Sequence, residues 1–172
     1  TNGGSVVNKT SALWPGGELG LSLTGSGLTV AIWDGGPSRN THQEFGSRVT
    51  LKETGTFGDH ATHVTGTIGA TGVDAAAKGM AYGVSIHSYS FYDGDDEIAT
   101  YAGNYLVSNH SYGSVCGWAY GNGYFGGGSS DWEWVGDNSQ FACYMFGWYS
   151  PDAADWDEIA YNAPYYLSLI HI

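Results

Sequence analysis

Leu28-Thr29-Val30-Ala31-Ile32-Trp33-Asp34-Gly35-Gly36-Pro37 is the stretch on which the fold turns. Leu28 to Trp33 is near-continuously apolar and rich in β-formers, so it reads as a strand buried on both faces inside a parallel sheet. Asp34-Gly35-Gly36-Pro37 then ends the strand with turn chemistry. Open parallel sheets carry their functional groups just past the carboxyl ends of their strands, and Asp34 stands there. Taken alone, an Asp in that place is more often a turn residue or a cap.

Working outward, strands and helices alternate. Arg48–Glu53 reads as a second strand and Asp59–Gly69 as a helix, with Val64 and Ile68 on one face, Asp59 as N-cap and Gly72 as stop. Val84–Tyr89 is a strand, and Asp95–Asn104 is a helix with Asp95, Asp96 and Glu97 in its first turn. Tyr105–Asn109 is a strand, 114–150 a long loop rich in Gly, Trp and Tyr, and Ala153–Tyr161 a helix capped by Asp152. The apolar run Tyr165–Ile172 reads as a last, buried strand. Such alternation predicts an α/β fold with a mostly parallel sheet flanked by helices.

Lys and Arg total 5 against 17 Asp and Glu, a formal charge of −12. Nucleic acid and anionic membrane surfaces both require a basic footprint, so the charge argues against both and excludes nucleic acid as partner. No segment approaches the ~20 apolar residues of a membrane span. Few lysines and much Gly, Tyr and Trp favour a secreted or extracellular protein. Cys116 and Cys143 lie 27 residues apart, and spacing leaves open whether they pair.

His60 opens the expected helix within Asp59-His60-Ala61-Thr62-His63-Val64-Thr65-Gly66-Thr67. A His held there can bond a carboxylate through one nitrogen and offer the other to a nucleophile. Two other roles stay open on spacing alone: metal ligation by His60 and His63, for which no third ligand stands at a recognisable spacing, or both as polar residues packed near the surface.

An apolar strand ending in Asp-Gly-Gly, followed 26 residues later by His-Ala-Thr-His-Val-Thr-Gly-Thr, resembles the Asp and His boxes of the subtilase family. The family's His box is usually His-Gly-Thr-His-Val-Ala-Gly-Thr, so six of eight positions match; Ala61 and Thr65 depart, as does Gly35 in the Asp box. The resemblance implies a serine endopeptidase of the subtilisin-like three-layer fold, with Asp34 as orienting carboxylate, His60 as general base, and His63 packed inside. Asn109-His110-Ser111-Tyr112-Gly113 resembles the family's substrate strand, whose Ser111, Tyr112 and Gly113 backbone would pair with an extended polypeptide. Lys78-Gly79-Met80-Ala81-Tyr82-Gly83 resembles a Gly-Val-Ala-Pro element, and the Trp-rich stretch from Gly117 to Ser150 resembles a bacterial branch of the family. Core packing is the expected role of those tryptophans, ahead of carbohydrate stacking.

The family's later elements, an Ala-Ala-Gly-Asn-like turn and a Gly-Thr-Ser box, do not occur in the sequence. The chain is therefore expected to be the N-terminal part of a catalytic domain, inactive as it stands. Residues 1–27 would be a lead-in, 28–168 an incomplete catalytic domain, and 169–172 a non-native tail. No cofactor is required by this chemistry. Structural calcium is compatible with the acids Asp93, Asp95, Asp96 and Glu97, which a helix N-terminus explains equally well. The competing expectation is a non-catalytic domain that binds glycan or protein through the loop at 114–150.

Overall fold

The computed structural model describes residues 2–113, 116–120, 132–135, 143 and 145–170. They fall into two compact units, Thr1–Tyr112 with Glu158–Ile172, and Gly113–Asp157.

The first unit is built on a five-stranded, wholly parallel sheet. Its strands are β1 (Thr29–Asp34), β2 (Val49–Leu51), β3 (Ser85–Ser90), β4 (Val107–His110) and β7 (Leu167–Ile170), in the order β2-β3-β1-β4-β7. The deciding stretch is the central strand, and Ala31, Ile32 and Trp33 are wholly buried. The expected α/β architecture is present.

Strand alternation sorts the side chains into two faces. Val30, Ile32 and Ile86 pack with Phe45, Val49 and Val84 on one face, covered by Val64 and Ile68 of helix α2 (Asp59–Gly69). Trp33 points to the other face, where its indole N–H donates to Glu97 Oε2 of α3 (Gly94–Tyr101) at 2.8 Å. The crossovers β2–α2–β3 and β3–α3–β4 step in the same direction along the sheet yet use opposite faces. They are therefore of opposite hand, and one of them is left-handed, against the strong general preference.

Several expectations at element ends are corrected. Asp59 is the first residue of α2 rather than its cap, which is Gly58. The helix stops at Ala70, not Gly72, because Gly79, Met80 and Ala81 donate their N–H groups to Ala70 O, Thr67 O and Ile68 O at 2.9, 3.0 and 2.7 Å. A passing chain segment thus satisfies carbonyls that a glycine turn would otherwise have to cap. The lead-in forms α1 (Asn2–Val7) and a 3-10 turn, and Trp14 Nε1 donates to Met80 O at 2.9 Å. The last strand is not buried: β7 is a sheet edge, with Leu167 and Leu169 more than half exposed.

In the second unit the expected long loop contains an antiparallel pair, β5 (Gly117–Tyr120) and β6 (Trp132–Val135). Trp118 faces Trp134 and Tyr120 faces Trp132, both edge-to-face. Trp118, Trp132 and Trp148 are exposed, where buried rings were expected. Cys116 and Cys143 are joined as a disulfide. Helix α4 (Pro151–Asn162) is capped by Ser150, whose Oγ accepts from Ala153 N at 3.2 Å, while the expected cap Asp152 lies in its first turn. Ser at the cap followed by Pro at the first helical position is a favourable start.

Candidate active site

Asp34 is the last residue of β1 and is 3% exposed. A buried carboxylate needs donors. Gly35 N–H donates to Oδ1 at 2.8 Å, and His60 Nδ1 lies 2.8 Å from Oδ1 and 2.9 Å from Oδ2. A carboxylate only accepts, so Nδ1 carries the hydrogen, and Nε2 is the nitrogen left to take up or release a proton. The imidazole is 63% exposed, whereas the carboxylate side chain is 4% exposed. The pair is anchored below and open above.

The loop after Asp34 sets this geometry. Gly36 takes φ 123°, and a Cβ there would stand 2.9 Å from Thr56 O, so the position requires glycine. Gly58 N–H then donates to Pro37 O at 2.9 Å, drawing the start of α2 onto the loop. Ser38 completes the join from inside. Its Oγ is 2.6 Å from Thr65 Oγ1 and donates to Ala61 O at 3.2 Å, while its N–H donates to Ser88 Oγ at 2.9 Å. Ser38, Thr65 and Ser88 are fully buried. The small residues Ala61 and Thr65 of the His box thus let loop and helix meet closely. Ser38 had no signal in the sequence, because its partners lie 23 to 50 residues away.

The other candidates are placed as follows. Ser111 and Tyr112 continue β4 past His110 and have no ladder partner among the described residues. Ser111 Oγ accepts from Asn109 Nδ2 at 2.8 Å. Because Trp33 is level with His110 in the β1–β4 register, Ser111 leaves the sheet level with Asp34. Gly113 begins the second unit and is exposed. Burial raises the Tyr112 hydroxyl pKa, with the charges of Asp95 and Asp34 adding to the effect.

His63 is not packed inside. It is exposed and lines a cleft of about 430 Å³ on the outer side of α2 with Arg39, His42, Asp59 and Thr62. A shared metal for His60 and His63 is not supported: His60 is bonded to Asp34, and among the described residues no three His, Cys, Asp or Glu groups converge. The calcium candidates Asp95, Asp96 and Glu97 occupy the first turn of α3, and Glu97 holds Trp33. Among the described residues no three His, Cys, Asp or Glu groups converge there, and the side chain of the fourth candidate, Asp93, lies outside them.

A paired carboxylate and imidazole at the carboxyl edge of a parallel sheet is an arrangement suited to proton transfer during hydrolysis. The family model for the subtilase family matches residues 25–144, and the chain belongs to that family. No curated protein sequence matches it. Subtilases are serine peptidases, and a polypeptide is the substrate class that membership gives. Among the described residues no helix is long and apolar enough to cross a membrane.

Proposed function

We propose that this chain supplies the Asp and His of an Asp-His-Ser endopeptidase of the bacterial branch of the family. The nucleophile and oxyanion donor come from sequence beyond these 172 residues. Asp34 orients the imidazole and stabilises its cationic form; His60 takes the serine proton and returns it to the leaving amine. The observation that carries this reading is the two-oxygen grip of Asp34 on His60 Nδ1, with the ring's far side open to solvent. Ser111, Tyr112 and Gly113 would hold the substrate as an added strand.

Without a Gly-Thr-Ser box in the sequence to supply the nucleophile, the base has no serine to deprotonate and the chain alone is inactive. None of Ser111, Ser114 and Ser139 has a Gly-Thr-Ser context. The Cys116–Cys143 disulfide and the composition favour an extracellular setting.

The test has two arms. The 172-residue chain should neither hydrolyse denatured casein nor be labelled by a fluorophosphonate. In a longer product carrying a Gly-Thr-Ser box, Asp34→Asn should lower kcat about 10⁴-fold and His60→Ala about 10⁶-fold, the sizes known for trypsin and subtilisin rather than values derived for this chain. Full activity in Asp34→Asn would overturn the assignment, and casein turnover by the short chain would overturn its inactivity.

A second reading, a non-catalytic binding domain, draws on the exposed rings of Trp118, Tyr120 and Trp132. Absence of a Gly-Thr-Ser box from the longer gene product would favour it.

A further inference from the structure

Trp33 immediately precedes Asp34, and its register partners are Tyr89 on β3 and His110 on β4. In a parallel ladder, paired residues point to the same face and stand one strand spacing apart, about 4.8 Å. Three flat rings at one level must therefore stack. Trp33 lies 4.4 Å from Tyr89 at 10° and 5.2 Å from His110 at 7°. All three are buried.

Each ring is also pinned at its edge. Trp33 Nε1–H donates to Glu97 Oε2 at 2.8 Å, and the Tyr89 and Tyr105 hydroxyls are 2.7 Å apart. His110 reaches Tyr112 Oη from Nδ1 at 2.8 Å and Ser108 Oγ from Nε2 at 2.7 Å. Burial holds its pKa down at about 4, so near neutral pH the ring is uncharged, with one nitrogen donating and the other accepting. One residue further along β1 and β4 stand Asp34 and Ser111.

We propose that this ring row is the positioning layer of the site, with Trp33 and His110 as its positioning residues. Trp33 fixes the height and direction of Asp34; His110 holds Ser111 and Tyr112 level with it. The inference rests on the reading of Asp34 and His60 as the working pair. A phenylalanine at 110 would fill the same space and stack as well, but only an imidazole bonds Ser108 and Tyr112 together. The precision matters because a displacement of about 1 Å at a reacting group can cost 10²-fold in rate.

Selective ¹⁵N-histidine labelling of the chain gives a readout from only six imidazoles. The wild type should show His60 with the hydrogen on Nδ1, and Asp34→Asn supplies the reference for loss of that signature. Trp33→Leu should cut the Nδ1–H excess several-fold, and Trp33→Phe, which keeps a stacked ring, should restore it. Should Trp33→Leu fail to fold, Glu97→Ala loosens the same indole and reads the same signal. His110→Phe should leave the His60 signal in place while lowering the backbone amide order parameters of Ser111 and Tyr112 from the rigid value of about 0.85 towards about 0.6, because the bond that holds Tyr112 Oη is gone. A folded Trp33→Leu or Glu97→Ala protein with a wild-type His60 signal, or unchanged Ser111 and Tyr112 order parameters in His110→Phe, overturns the proposal. If Asp34→Asn itself leaves His60 unmoved, the pair reading fails instead.

Discussion

At the scale of single residues, His110 makes the fold sensitive to acid. Its pKa falls from about 6.5 to about 4 on folding because burial penalises the charged ring. The unfolded chain therefore binds the proton more readily. Stability is present in full above pH 6.5 and is lost as pH falls towards 4. Between pH 7 and pH 5 the loss should be on the order of 2 kcal/mol. Urea unfolding at the two values checks this, and His110→Phe should shrink the difference. A second buried ionisable group adds to the same acid sensitivity, because its folded pKa is also lowered and the unfolded chain again binds the proton more readily. The Glu44 carboxylate accepts N–H groups from Asp74, Val73 and Gly72, and these bonds, with that to Asp74 the strongest, hold its pKa below the usual range despite burial. Asp34 and His60 stand out in the sequence because each sits in a short contiguous pattern. The ring row does not, because it exists only through the register of three strands.

At the scale of elements, the span of α2 was legible and its caps were not. The span Asp59–Gly69 follows from local periodicity, and the structure has the same span. Its C-terminal closure by residues 79–81 depends on how the chain returns, which local residue types do not encode. That closure yields a sharp expectation. A Cβ at Gly79 would stand 2.5 Å from Ala70 N and 2.8 Å from Ile68 O, both backbone atoms. Gly79→Ala should therefore cost about 2–3 kcal/mol by forcing the segment off the helix end, measurable as a fall in urea midpoint without a change in slope. The antiparallel pair β5–β6 was missed for a different reason. Its strands are four residues each within a Gly-rich stretch, too short for alternation to register against the surrounding composition. The edge position of β7 was missed because an apolar run looks alike whether one neighbour or two will cover it.

At the scale of the whole molecule, the two units rely on different restraints. The second carries the disulfide, closing a separation of 27 residues. Reduction should destabilise that unit by about 3 kcal/mol and leave the first unit unaffected. Hydrogen exchange with and without dithiothreitol checks this: faster exchange confined to residues 113–157 is expected, and equal acceleration in β1 would refute it. The first unit holds its sheet by side-chain packing on both faces, and its paired crossovers carry a kinetic cost. A strand–helix–strand segment closing by its own twist chooses one hand, so the connection of the other hand gains nothing from local bias. It must wait until the central strand has found a partner, which makes a long-range encounter the gate to assembly.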